Sequence, residues 1–249
     1  MKALVIIPTY NERRILPHTL RRTRSSAPEA DVLVVDDASP DGTGQWAEGV
    51  AGHDRQVHVL HHGAKAGLGR AYVAGFTWAL EHGYELVVEM DADGSHHPED
   101  LPRLLGQCDA DTPLVIGSRW VDGGHTQNWP LLRRVLSRGA NRYANAVIGL
   151  DVADATAGFR VFTADLLRRI DLAAVDSQGY CFQVDMTRRV RALGEEILEL
   201  PITFTERLDG SSKMSRAIVG EALVRTTAWG AQRRAQQCAA WVQALRRRS

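Results

Sequence analysis

The chain is short of cysteine, of long apolar runs and, over two stretches, of acid. Its 249 residues hold three cysteines, Cys108, Cys181 and Cys238, far apart and without a CxxC pair. That argues against a disulfide framework or a zinc site and fits a reducing compartment. No run approaches the roughly 18 apolar residues of a membrane-spanning helix. The opening MKALVIIPTYNE has one Lys and only the run from Ala3 to Ile7 before Pro8, too little for a signal-peptide core. A cytosolic protein is therefore expected, with contact at a membrane surface left open. Internal repeats, low-complexity tracts and a convincing linker are also missing. Net charge is missing only in the sum, where 30 Lys and Arg balance 30 Asp and Glu. No acid lies between Asp122 and Asp151, where Arg133, Arg134, Arg138 and Arg142 are found, and six Arg but no acid follow Glu221. The balanced total thus conceals basic surfaces suited to phosphate, lipid headgroups or nucleic acid. Nucleic acid fits least, because the basic tail lacks interleaved aromatics on a sheet or a recognition helix.

What is present is an alternation of short apolar runs with helical periodicity, in a chain that is 44% hydrophobic and 24% charged, typical of a soluble globular protein. Residues 3–7, 32–35, 57–60, 86–90 and 114–116 read as strands. Helices are expected from Asn11 to about Ser25, over 42–51, and from Arg70 to His82. Strands alternating with helices imply a mostly parallel sheet with right-handed crossovers and a site at the strands' carboxyl ends. Four of those ends carry polar or acidic residues: Pro8 to Glu12, Asp36 and Asp37, Asp91 and Asp93, and Gly117 to Arg119. Beyond Arg119, residues 131–148 can form a helix with Leu132, Val135, Leu136, Ala140, Tyr143 and Val147 on one side and arginines on another. Such a helix either faces the core or lies on a membrane surface, and Gly139 is where it can break. Residues 155–162 read as a turn and strand, 164–170 and 182–192 as helices. Ile197 to Thr205 reads as one strand, confined to a sheet edge by Pro201.

The stretch ELVVEMDADGSHHPEDL, residues 85–101, delivers Asp91 and Asp93 from a strand into a turn closed by Gly94. Carboxylates at i and i+2 fall on one side of a strand and repel each other, an arrangement relieved by a hard divalent cation bound to phosphate. The alternative is a solvated acidic turn. The Gly67-Leu68-Gly69 segment does not satisfy GxGxxG and follows the third strand, so close helix packing is the better reading, with Lys65 and Arg70 near an anion. The Asp36-Asp37 pair also suits a phospho-receiver domain, although such a domain needs about half this length.

Taken together, VIIPTYNE, VVDDASPDGT, MDADGSHHPED and GSRWVDGG, followed by NWPLLRRVLSRGAN, DATAGFRVF, GYCFQVDM and ERLDGSSK, resemble inverting GT-A glycosyltransferases of the polyprenol- or dolichol-phosphate mannose synthase type. The resemblance covers residues 1–215. It implies a Rossmann-like GT-A catalytic domain over 1–215, with an interface helix at about 131–148, and a basic amphipathic helical tail over 216–249. It also implies transfer of mannose from GDP-mannose to a polyprenyl or dolichyl monophosphate, with inversion and with Mg²⁺ or Mn²⁺. By resemblance, Pro8, Tyr10, Glu12, Val35, Asp37, Asp91, Ala92, Asp93, Arg119, Arg207 and Lys213 surround the nucleotide sugar. Asp91, Asp93 and Ser95 hold the metal; related enzymes carry Gln at the last position, and His96 is a substitute ligand. Arg119, Arg133 and Ser137 take the lipid phosphate, Asp93, Arg119, Arg207 and Lys213 are catalytic, and Asp185 either stands near the sugar or is buried beside Arg188 or Arg189.

A phosphate oxygen needs little help from a base, whereas cationic clamping of two anions suits Arg. The acceptor stays in the bilayer, so peripheral attachment at the inner face of the membrane is expected, through helices in which Trp229, Trp241, Val242 and Leu245 alternate with Arg233, Arg234 and Arg246 to Arg248. An integral-membrane partner, another donor such as UDP-glucose, and a non-catalytic sugar-nucleotide-binding subunit all stay open.

Overall fold

The computed structural model describes residues 1–63, 67–177, 180–206 and 223–235. Strands β1 (Ala3–Thr9), β2 (Asp31–Asp36), β3 (Val57–His61), β4 (Leu86–Glu89), β5 (Leu114–Ser118), β6 (His125–Gln127), β7 (Arg160–Thr163), β8 (Ile197–Pro201) and β9 (Thr203–Thr205) alternate with helices. The helices are α1 (Leu16–Ser26), α2 (Thr43–Ala51), α3 (Leu68–Glu81), α4 (Leu101–Leu105), α5 (Leu131–Ile148), α6 (Ala164–Arg169) and α7 (Tyr180–Ala192). The main sheet has seven strands in the order β3-β2-β1-β4-β7-β5-β8. All pair in parallel except β7, which runs antiparallel between β4 and β5. β6 and β9 form a separate parallel pair.

Successive side chains on a strand point to opposite faces, and both faces are covered, which is why these strands are continuously apolar. Val5, Ile7, Val32, Val34 and Val88 pack under α1 and α4. Leu4, Ile6, Leu33, Val35 and Val87 pack on the other face against Tyr72 and Phe76 of α3 and Phe182 of α7.

Several expectations need correction. Helix α1 begins at Leu16, not Asn11: Asn11 has φ of 60°, and Pro17 fits only the first turn, where its missing N–H is no loss. Helix α5 runs unbroken through Gly139, which is exposed with nothing packed against its Cα; one glycine costs about 1 kcal/mol relative to Ala, too little to break five turns. Ile197 to Thr205 is two strands, since Pro201 ends β8 at the sheet edge and Ile202 donates its N–H to Ser118 O at 3.0 Å, turning β9 onto β6.

Among the described residues no helix is long and apolar enough to cross a membrane. Residues 223–235 of the expected tail are helical and pack back on α5. Tyr143 and Thr227 hydroxyls meet at 2.6 Å, Gly230 abuts Val147, and Arg233 donates to the terminal Ile148 carbonyl, a cation capping a helix C-terminus. Trp229, expected at a bilayer, instead packs beside Ala144, Ile148 and Val152, with Arg188 5.0 Å over its ring. The remaining tail residues, among them Trp241, Val242, Leu245 and Arg246 to Arg248, lie outside the described residues.

Candidate active site

The carboxyl ends of β1, β2 and β4 open side by side, as their parallel registers require. The two loops after β1 and β2 are stitched together: Asn11, Glu12 and Arg13 donate backbone N–H groups to Ser39 Oγ, Thr43 Oγ1 and Asp41 Oδ2 at 3.0, 3.1 and 3.0 Å. Asp36 serves this turn internally, accepting from Thr9 Oγ1 at 3.0 Å and from the Ser39 N–H and hydroxyl at 3.0 and 2.6 Å. Ala38 is thereby held at φ of 56°, a conformation an L-residue adopts only when its surroundings insist. Asp37 turns instead towards the crevice, where His62 Nδ1 lies 3.0 Å away and the Gly67 N–H donates at 3.4 Å. Val35 is fully buried under α3, so only its backbone can reach a nucleoside. Pro8, Tyr10 and Glu12 are half-buried along the same rim.

After β4 the acid loop is pinned along most of its length. Asp91 Oδ1 accepts from Tyr72 OH at 3.4 Å, and the Asp91 N–H donates to His96 Nδ1 at 3.1 Å. Ala92 is buried in the core, and its carbonyl accepts from Thr19 Oγ1 of α1 at 2.8 Å; like Val35, it has only backbone to offer. Asp93 Oδ1 accepts from the Ser95 N–H at 3.0 Å, and Ser95 O accepts from the Thr205 N–H of β9 at 3.1 Å. The Ser95 hydroxyl is buried with no hydrogen-bond partner among the described residues. His96 is 2% exposed and stacked on Phe159 at 5.0 Å. Burial pushes its pKa down to about 4 against the pull of Asp93, so the imidazole is neutral at pH 7. Its Nδ1 is already engaged by the Asp91 N–H, which argues against that nitrogen as a metal ligand.

Beneath lies a buried network that no sequence pattern announced. Glu89 is fully buried and accepts from Gln183 Nε2 at 2.7 Å. Burial raises its pKa to about 8, against the charge of Arg160. Arg160 stands opposite Glu89 in the register and donates to the carbonyls of Ala155, Ala157 and Gln183 at 2.8, 2.7 and 3.0 Å. It thereby braces the loop that brings Gly158 beside Asp91, His96 and Gln183.

On the other side of the acid loop, Arg119 is 4% exposed and bound by Asp154, Nε to Oδ2 and Nη2 to Oδ1, both at 2.7 Å. Burial pushes the Asp154 carboxyl up, but Arg119 outweighs it and leaves it below the usual range. Expected as a phosphate clamp, Arg119 is a buried ion-pair member ringed by Trp120, Trp129 and Phe204 at 5.3 to 5.7 Å. Arg133 of α5 lies 4.0 Å over Trp129 and is paired with Glu206, and Ser137 is half-buried one turn on. Asp185 is buried and paired with Arg188 at 2.6 Å, the second of its two expected settings. Arg207, Lys213 and Lys65 lie outside the described residues.

A contiguous path therefore joins the acid loop to α5. His96 meets Phe204 edge-on at 5.2 Å, Phe204 meets Trp129 at 5.4 Å, and Arg133 caps Trp129. The aromatic members escaped the sequence reading; NWP was the one signal for Trp129. The first half of α5 exposes Leu131, Leu132, Val135 and Leu136 at 55% or more, between arginines.

Residues 4–171 match the model of the glycosyl transferase family 2. An undecaprenyl-phosphate mannosyltransferase of Micrococcus luteus is 58% identical over 230 residues, 92% of this chain and 94% of that protein. A polyprenol monophosphomannose synthase of Mycolicibacterium smegmatis is 53% identical, over 92% of this chain and 87% of that protein. Among solved structures, glucosyl-3-phosphoglycerate synthase from Mycobacterium tuberculosis, in complex with Mn²⁺ and UDP-glucose, superposes with a TM-score of 0.64 at 16% identity, covering 92% of this chain and 77% of that one. At that identity the likeness is one of fold.

Proposed function

The chain belongs to glycosyl transferase family 2, and from that premise we propose that it transfers mannose from GDP-mannose to a polyprenyl monophosphate at a membrane surface. Relatives named for mannosyl transfer to undecaprenyl phosphate and for polyprenol monophosphomannose synthesis support the reaction class. The observation that carries the reading for this chain is the path from Asp91 and Asp93 through His96, Phe204 and Trp129 to Arg133, on a helix that turns apolar side chains outward. This packed path supports a reading in which a hydrophilic donor site and a lipid-facing cation act together.

In this reading Asp37, with Pro8, Tyr10 and Glu12, receives the nucleoside; a carboxylate accepts hydrogen bonds from a ribose diol or a base edge. Asp91, Asp93 and Ser95 would hold a divalent cation. The donor set fits, because it is all oxygen and includes a buried hydroxyl without a partner among the described residues. A Mg²⁺ or Mn²⁺ ion would suit such oxygen ligands. The bound ion supplies charge stabilisation for the departing diphosphate. Arg133 draws the acceptor phosphate from the surface, with Ser137 beside it, and Arg207 and Lys213 serve as further phosphate cations. The acceptor oxygen attacks the anomeric carbon from the face opposite the leaving diphosphate, so the sugar inverts. Arg119 holds the Asp154 loop and the aromatic wall between the two anions. The catalytic domain is assigned to 1–215 and the basic tail to 216–249.

Radiolabelled GDP-mannose or UDP-glucose, polyprenyl phosphate and Mg²⁺ or Mn²⁺ followed by organic extraction tests the proposal. Label in the lipid phase from GDP-mannose is expected. Label only from UDP-glucose overturns the donor, and no transfer from either overturns the reaction. Asp93→Ala should abolish transfer without rescue by added metal.

A further inference from the structure

Asn141 lies at the middle of α5 with its side chain 2% exposed. It follows Arg133 and Ser137 at eight and four residues, on the same face of the helix. Of the residues of α5, it is the polar one that is buried. Its Nδ2 confronts Ser137 O at 3.0 Å, Thr156 Oγ1 at 3.2 Å and Asp154 Oδ1 at 3.4 Å. The last two atoms also take Arg119 Nη2, at 2.9 and 2.7 Å. Three acceptors around one nitrogen fix the orientation of the amide. They leave Asn141 Oδ1 buried without a partner among the described residues, which is unfavourable. Ala at that site would avoid the orphaned oxygen and favour the helix but would take a donor from the buried Asp154 and Thr156 oxygens, so what the amide contributes is this contact and not apolar packing.

The two things it joins are different in kind. Before Asn141, α5 is mostly exposed; after it, Ala144 and Ile148 are core. On the other side, residues 154–158 run from the Arg119 ion pair to Gly158, beside Asp91. We propose that Asn141 is a positioning residue that transmits the seating of α5 on its acceptor surface to the Arg119–Asp154 pair and the 154–158 loop. Engagement of the lipid on α5 thereby sets the geometry next to Asp91. The inference rests on the reading of α5 as the acceptor-facing helix.

Asn141→Ala and Thr156→Val each remove one side of the contact, the second without loss of volume, and Thr156→Ser keeps the hydroxyl. In vesicles containing polyprenyl phosphate, each of the first two should raise KM for the lipid about tenfold. KM for GDP-mannose should stay within about twofold, while Tm should fall by a few degrees in both variants, because each leaves a buried hydrogen-bonding group of the Arg119–Asp154 cluster without a partner. The double variant should be no worse than either single one, since the contact is shared, and Thr156→Ser should resemble the parent. A second readout needs no turnover: amide hydrogen exchange over residues 153–158 with and without anionic vesicles. The parent should gain protection on vesicles, and Asn141→Ala should bind vesicles without gaining it. Equal protection in Asn141→Ala and parent, additive KM effects, or no vesicle response in the parent overturns the coupling. A parent that transfers no mannose, yet shows Asn141-dependent protection, supports the coupling while overturning the substrate assignment.

Discussion

The Arg119–Asp154 pair sets two full charges where their side chains are 5% and 0% exposed. Desolvation of both ions roughly cancels their attraction, so the pair matters less for net stability than for what happens when it is broken. Asp154→Asn strands the guanidinium among Trp120, Trp129 and Phe204 and should lower stability by about 3–5 kcal/mol in urea titrations at pH 7. Arg119→Met with Asp154→Leu should recover most of that loss and remain inactive. Because the Asp154 pKa is lowered in the folded protein, its contribution is fully present above the unfolded value of about 3.9 and fades as pH falls through the folded one. The parent's advantage over Asp154→Asn should therefore shrink below about pH 4. Ser95 gives a second case. Its buried hydroxyl has no described partner to lose, so Ser95→Ala should change stability by no more than about 0.5 kcal/mol. It should weaken Mn²⁺ binding in the presence of GDP about tenfold by electron paramagnetic resonance titration. Unchanged Mn²⁺ affinity removes Ser95 from the ligand set. The identity of such residues was legible in the sequence and their state was not: DAD and GSR announce Asp93 and Arg119, but Arg119's partner lies 35 residues on and no periodicity connects them.

At the scale of elements, helix α5 changes allegiance along its length. Leu132 and Val135 are 70% and 58% exposed, while Ala144 and Ile148 are 3% exposed. The apolar periodicity predicted one helix with one apolar side, and the choice between core and surface was left open because the pattern is the same for both. The structure uses both, the first half outward and the second against residues 223–235 and the rest of the third apolar cluster. Leu132→Glu with Val135→Glu should thus leave Tm within a few degrees, since exposed sites rarely matter to stability, yet abolish flotation with anionic liposomes. Flotation unchanged moves the membrane contact elsewhere. Helix α3 is the opposite case, fixed by a glycine. A Cβ on Gly69 would stand 2.5 Å from Ser177 O and 3.0 Å from Phe182 Cδ2, against backbone that cannot yield cheaply. Gly69→Ala should cost about 1–3 kcal/mol by denaturant unfolding. Close packing was legible in the Gly67-Leu68-Gly69 run. The start of α1 and the split after Pro201 were not, because each depends on which backbone N–H a proline lacks and on what neighbours are there to replace it.

For the molecule as a whole, a net charge of zero coexists with a separation of charge between the acid-bearing loops and α5. The mostly parallel sheet was readable from the alternation of apolar runs with helices, because both faces must be covered; its strand order was not. The insertion of antiparallel β7 was not, since a four-residue strand carries no direction in its pattern. That insertion matters because it brings residues 154–159 between the acid loop and α5. Acids gather at the ends of β2 and β4, and the acid-free span from 123 to 150 carries its arginines on α5. At short range the two fields act separately, since the Debye length is about 8 Å at physiological salt. A membrane with anionic lipid should therefore attract the α5 side despite zero total charge, each nearby arginine contributing about 1 kcal/mol. Raising the salt to about 1 M contracts the screening length to about 3 Å, and association with anionic vesicles should fall steeply. Transfer to a short-chain, water-soluble polyprenyl phosphate should decline less, because it dispenses with the membrane contact and leaves only the short-range pairing of phosphates with the cations of the site to be screened. Vesicle co-sedimentation and turnover measured across the same salt series separate the two. Parallel loss of both would mean that the cations of the catalytic crevice, not the surface of α5, govern the salt response.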